Sequence, residues 1–195
     1  RDSERRVMNS KLRALVDARM LLGRFSGVAR VVTCLLREFA RGEEIEPVAL
    51  LGASDDGNAL AALGIETLRC DFDRADRDPI RRRRWEEKRL AEWILAARAD
   101  VYHATWNSGI PRDCPIPAVL TIHDLIPWNT PITSGTSFLA RRAYRRSIRD
   151  SARRADQITT VSKARLTGKI STLSLSDMKA VERVILVQLG LSGSR

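Results

Sequence analysis

Short apolar runs alternate along this chain with longer stretches whose apolar residues recur every three or four positions. The runs Leu12–Val16, Pro47–Leu51, Ile65–Leu68, Asp100–His103, Ala118–Ile122 and Gln157–Val161 predict strands. Between them, Val28, Val31, Val32, Leu35, Leu36 and Phe39 share one face of a helix over Val28–Ala40. A long helix is expected over Pro79–Ala97, with Arg81–Arg84 in its first turns and Trp85, Ile94 and Leu95 available for burial. Another is expected over Ser137–Ala155, and Asp55–Asn58 reads as a turn or helix start. Strand–helix alternation of this kind predicts an α/β fold, a Rossmann-like and mostly parallel sheet with helices on both faces and right-handed crossovers. Ligands of such sheets sit beyond the carboxyl ends of the strands. The segments to interrogate are therefore Gly23–Gly27, His103–Gly109, His123–Trp128 and Ser162.

Composition narrows the class. Across 195 residues, 44% are apolar, enough for a real core. No apolar run has the length of a membrane span, and the polar start Arg1–Lys11 is not a secretory signal, so the sequence reads as cytoplasmic. Met8 reads as the natural start, with residues 1–10 a disordered or upstream remnant. Cys34, Cys70 and Cys114 stand apart without a CxxC pair, the pattern of reduced structural thiols rather than a disulfide framework or zinc site. The net charge of +10 rests on arginine, 29 Arg against 5 Lys, and favours anionic partners, although a biased genome gives the same balance. Every aromatic residue precedes Ser162, and three of the five lysines follow it. A boundary is expected there, giving a domain over 11–162 and an unrelated tail over 163–195. The tail carries one helix from about Ser176 to Leu189, ended by Gly190.

Four motifs carry candidate chemistry. Asp17–Arg30 runs from a strand through a glycine loop into a helix, and Gly27 stands where helix-end amides attract a phosphate. An ordinary strand-to-helix turn fits the same residues. Asp100–Gly109 places His103 at a strand end ahead of Trp106 and Asn107, a set that suits a sugar face; a structural histidine beside a core tryptophan is the alternative. Thr121–Trp128 brings His123 and Asp124 to the next strand end, before Pro127 stops regular structure. Arg141, Arg145 and Arg149 recur every four residues on one helix face and suit an anionic lipid surface, or are a solvated face. Nucleic acid is disfavoured, because no aromatic residues interleave these arginines.

Taken in order, D-A-R-x-L, S-G-V-A-R-V, D-V-Y-H, L-T-I-H-D-L and S-A-R-R-A-D-Q-I-T-T-V-S resemble the amino-terminal domain of retaining, mannosyltransferase-like GT-B glycosyltransferases over residues 11–162. The resemblance implies transfer of a sugar from a nucleotide-diphosphate sugar, a co-substrate rather than a bound cofactor, to a lipid-linked or polysaccharide acceptor, with no metal. It implies a cleft faced by Gly27, His103, Asn107, His123 and Asp124. Ala29 departs from the glycine usual in S-G-V-G-R. A donor-binding second domain is expected to be missing, which would leave the chain a truncated acceptor-side half, inactive alone. The segment Lys163–Leu191 resembles the carboxyl-terminal part of MazF/PemK-type toxin endoribonucleases, which implies a truncated glycosyltransferase gene joined to a toxin-gene remnant; a chance amphipathic helix is the alternative. Two other functions stay open: a non-catalytic basic module on an anionic membrane, peripheral at its inner face, and an RNA-cleaving toxin remnant.

Overall fold

A computed structural model describes residues 11–21, 27–55, 57–73, 78–123 and 138–160. The expected tail over 163–195 lies outside them, as do Gly23, Asp124 and Trp128.

Six strands form one sheet: β1 (Leu12–Asp17), β2 (Ile45–Leu51), β3 (Glu66–Arg69), β4 (Val101–Ala104), β5 (Ala118–Ile122) and β6 (Gln157–Thr160). Their order is β3-β2-β1-β4-β5-β6, and every pairing is parallel. The inner strands are largely apolar on both sides because helices cover both sides. On one face, helix α1 (Gly27–Arg41) lays Val32 and Leu36 against Val16, Ala49 and Leu51. The short α2 (Asn58–Ala61) adds Leu60 to the same cluster. The opposite face presents Leu15, Val48, Leu50, Tyr102 and Leu120 to Trp85, Leu90 and Ile94.

Those last residues lie on two helices rather than the single expected one. Helix α3 (Pro79–Lys88) begins at Asp78, whose carboxylate accepts from the amides of Ile80 and Arg81. It stops at Arg89, which leaves helical geometry at φ −121°, and α4 (Leu90–Ala96) follows. An unbroken helix would set Leu90 about 140° around the axis from Trp85. The break lets Trp85, Leu90 and Ile94 all face the sheet. Asp71 ties the pair together by accepting from the indole N–H of both Trp85 (3.1 Å) and Trp93 (3.2 Å). Leu95, expected in the core, is 61% exposed as a result. Helix α5 (Phe138–Arg154) packs beside α3, held by Arg83 to Asp150 at 2.6 Å and Arg154 to Glu87 at 2.9 Å. None of the described helices is long and apolar enough to cross a membrane.

Candidate functional site

The strand order reverses direction between β1 and β4, and a sheet of this kind opens a crevice at that point. Asp17 closes β1 and Thr105 follows β4, so both lie at the mouth. They are joined directly, the Thr105 hydroxyl donating to the Asp17 carbonyl. The chain after Thr105 makes a tight reversal. Trp106 and Ser108 bridge each other, Asn107 takes φ 25° and Gly109 takes φ 116°. A positive φ is costly for a non-glycine residue and is held only where the surroundings insist on it. Here they do. Asn107 is 2% exposed; its Nδ2 donates to the Tyr144 hydroxyl at 2.8 Å, and its Oδ1 accepts from the His123 amide at 2.6 Å.

The two histidines arrive on neighbouring strands. His103 pairs in register with Val16, which puts it on the α1 side of the sheet. There its Nε2 meets the Thr121 hydroxyl at 2.8 Å, and Thr121 meets Thr159 at 3.0 Å, a polar ladder across β4, β5 and β6. Burial lowers the His103 pKa, Asp17 works against that, and the charge of His123 adds to it. At the end of β5, Nε2 of His123 lies 2.7 Å from the Thr105 carbonyl. A carbonyl only accepts, so Nε2 carries a proton, which in the neutral form of the ring leaves Nδ1 as the acceptor.

Beneath the turn, on the α3 side, lies an ionic cluster that the motif reading did not single out. Arg19 donates to Asp17 through Nε (2.8 Å) and Nη2 (2.6 Å), and Glu86 of α3 lies 3.4 Å from Nη2. Two aromatic rings that touch each other edge to face lie against the Arg19 guanidinium, Phe72 at 4.8 Å and Trp85 at 4.7 Å. Tyr102 donates to Asp17 at 3.2 Å and lies 3.0 Å from the Gly109 carbonyl. Burial opposes the Arg19 charge, but Asp17 outweighs it and holds the guanidinium protonated well beyond the ordinary arginine range. Burial raises the Glu86 pKa, partly offset by Arg19 and Arg82. Burial, with Asp17 adding to it, pushes the Tyr102 phenol up as well. Among the described residues, four buried side-chain atoms in this region lack a hydrogen-bond partner: Nη1 of Arg19, Nε of Arg82, Nε1 of Trp106 and Oγ of Ser108. Three are obligate donors, so the interior under the turn is short of acceptors.

The glycine at the rim behaves differently from the expected bend. Gly27 is the first residue of α1, lies outside the left-handed region and has nothing within 4 Å of where a Cβ would sit. Among the described residues, no contact requires glycine there. Ala29, two residues on, is buried under the helix. The glycine the geometry does require is Gly109, where φ is 116° and a Cβ would sit 3.4 Å from Nη2 of Arg19. On α5, Arg141 and Arg145 of the expected stripe are half-buried and Arg149 is exposed, as are Arg142, Arg146 and Arg153. All six line an open hollow with Phe138 and Asp150. Asp124 lies outside the described residues. Among the described residues, no group of three His, Cys, Asp or Glu side chains could hold a metal ion.

A parallel sheet in this order, with a polar crevice at its switch point, defines a Rossmann-like domain of the kind found in GT-B glycosyltransferases. Residues 26–166, well over half of the chain, match the model of the glycosyl transferase 4-like domain. The chain belongs to that family. No curated protein matches it. Among solved structures, it is similar to O-ureido-L-serine synthase at 11% identity, covering 97% of this chain and 66% of that one with a TM-score of 0.25. The chain thus spans just under two thirds of that structure's length, and the overlap is too slight to transfer fold or function.

Proposed function

We propose that residues 11–162 form the acceptor-side domain of an enzyme that transfers a sugar from a nucleotide-diphosphate sugar to a lipid-linked or polysaccharide acceptor. The observation that carries this reading is the rim at the β1/β4 switch point. There Asn107 joins the turn after β4 to the His123 amide, and His123 keeps Nδ1 as an acceptor. A sugar hydroxyl donates to such a nitrogen, and an aromatic ring such as that of Trp106, in the same turn as Asn107, suits the apolar face of a pyranose. Gly27 opens a helix of 15 residues whose amino end favours phosphate oxygens. In this reading His103 and His123, the latter held by Asn107, face the acceptor, Gly27 faces the donor phosphates, and a second domain supplies most of the transition-state stabilisation.

The test is a titration of the chain with mannosides, phosphate-linked mannosides and a nucleotide-diphosphate mannose, followed through Trp106 fluorescence with Trp106→Phe as the control. Acceptor glycosides should bind, and His123→Ala should weaken them at least tenfold with folding intact. Equal binding by wild type and His123→Ala would remove the reading, and so would unfolding of the variant, which would make that histidine a core residue.

The outer face of α5 favours a second contact, with an anionic membrane surface. Its four exposed arginines repeat at helical spacing over roughly 16 Å, next to Phe138 and Leu139, each 64% exposed. At about 1 kcal/mol per basic residue near an anionic leaflet, they contribute roughly 4 kcal/mol. Co-sedimentation with phosphatidylglycerol vesicles, absent with phosphatidylcholine and weakened by salt, is the expected result. Salt-insensitive binding, or none, would exclude this contact.

A further inference from the structure

Helix α5 holds the turn after β4 at two points. Tyr144 and Ser151 lie two helical turns apart, about 10 Å along the axis. The Tyr144 hydroxyl accepts from Nδ2 of Asn107 at 2.8 Å. The Ser151 hydroxyl accepts from the amides of Gly109 (3.1 Å) and Ile110 (3.2 Å). The turn between these anchors contains both left-handed residues, Asn107 and Gly109.

Only the Tyr144 anchor reaches the imidazole rim. Asn107 spends one end of its amide on Tyr144 and the other on the His123 backbone N–H. Fixing Nδ2 also fixes which way Oδ1 points, because the two are opposite ends of one planar group. The Tyr144 ring has a separate task, standing 5.0 Å from the guanidinium carbon of Arg82. Ring and hydroxyl are therefore separable by substitution.

We propose that Tyr144 is a positioning residue: through Asn107 its hydroxyl orients the end of β5 so that the His123 ring keeps its Nε2 proton on the Thr105 carbonyl and its Nδ1 toward the acceptor. The functional half of this statement rests on the proposed acceptor role of His123.

The chain contains only two histidines, so the long-range proton–nitrogen spectrum of the ¹⁵N-labelled full chain holds two imidazole patterns, assigned by His103→Gln. At an alkaline pH, where imidazoles are neutral, wild-type His123 should show a single tautomer protonated at Nε2. Tyr144→Phe keeps the ring on Arg82 and removes the hydroxyl. It should move the His123 nitrogens toward tautomer-averaged shifts and leave the Nε2 of His103 within the line width. Ser151→Ala loosens the other anchor and should leave both patterns unchanged, even though it also lowers stability. A Tyr144→Phe protein of reduced stability with an unmoved His123 pattern would reduce Tyr144 to a packing residue and overturn the proposal. If that variant does not fold, hydrogen exchange of the wild-type His123 amide decides the matter. Protection comparable to the β5 interior is expected, and rapid exchange would overturn the proposal equally. Acceptor titration of Tyr144→Phe separates the two readings: a shifted His123 pattern with unchanged acceptor affinity leaves the positioning role standing and removes the acceptor role.

Discussion

Replacing Asp17 by asparagine changes one oxygen to an NH₂ group and removes one charge, at a place where both matter. Asp17 accepts from Nε and Nη2 of Arg19, from the Arg19 amide at 3.2 Å and from Tyr102. An asparagine presents only one acceptor end, so one arm of the paired contact becomes donor against donor. The larger effect is on Arg19, whose side chain is 3% exposed and keeps only Glu86 at 3.4 Å as a carboxylate neighbour. Breaking a buried pair from one side costs about 3–5 kcal/mol, and solvent does not screen this one. Against a typical stability of about 5–15 kcal/mol this is a large fraction. At about 2–4 °C per kcal/mol, the midpoint should fall by roughly 10 °C. Urea titration with thermal melting measures it. Much of the cost is the stranded guanidinium, so Asp17→Asn/Arg19→Met should be less destabilised than the sum of the single variants. Glu86→Gln should cost far less, because burial already raises the Glu86 pKa. A group with a raised folded-state value contributes stability below its unfolded pKa and loses it as pH rises through the raised one. The glutamine should therefore flatten that acid-side slope. An Asp17→Asn loss below about 1 kcal/mol, or strict additivity in the double variant, would refute the argument that the cluster is tightly coupled.

Gly109→Ala should destabilise by about 1–3 kcal/mol in the same urea assay, because alanine is strained at φ 116°, whereas Gly27→Ala should leave the midpoint unchanged or slightly higher. The His103 pKa lies below its ordinary 6.5, so its stability contribution is complete above that pH and is lost as pH falls through the lowered value; the slope should disappear in His103→Gln, read by melting between pH 4 and 8. Burial pushes the Cys70 thiol up to about 11, and its Sγ lies 3.0 Å from the Leu51 carbonyl, so iodoacetamide at pH 8 should label Cys34 well before Cys70, as followed by mass spectrometry.

The strands were legible because most are short runs of apolar and β-branched residues, and their observed bounds lie within two residues of the expected ones. Their spatial order was not, because periodicity records which residues face inward and not which strand lies beside which. The long helix failed at Arg89 for a related reason: no proline or glycine marks the break, and the packing of Trp85, Leu90 and Ile94 decides it. His103, Asn107 and His123 stood out as polar residues at strand ends. Glu86 did not, since it reaches Arg19 from 67 positions away. Arg82 was hidden in a run of four arginines that reads as solvated surface. The spacing of Arg82 and Glu86 on one turn beside Trp85 is the signal that was present, a charged pair on the apolar side of its helix.

The two margins of the sheet are chemically unlike. At β3 the outermost backbone is flanked by Glu66 and Arg69, and Glu66 pairs with Arg13 at 2.7 Å. At β6 the outermost strand is Gln-Ile-Thr-Thr, uncharged, three of its four residues β-branched, with Ile158 47% exposed. Unpaired amides and carbonyls along a margin recruit further strands unless charge or bulk deters them. Among the described residues, charge opposes extension of the sheet on the β3 side and none does so along β6, where one lysine at Ile158 would act as a gatekeeper.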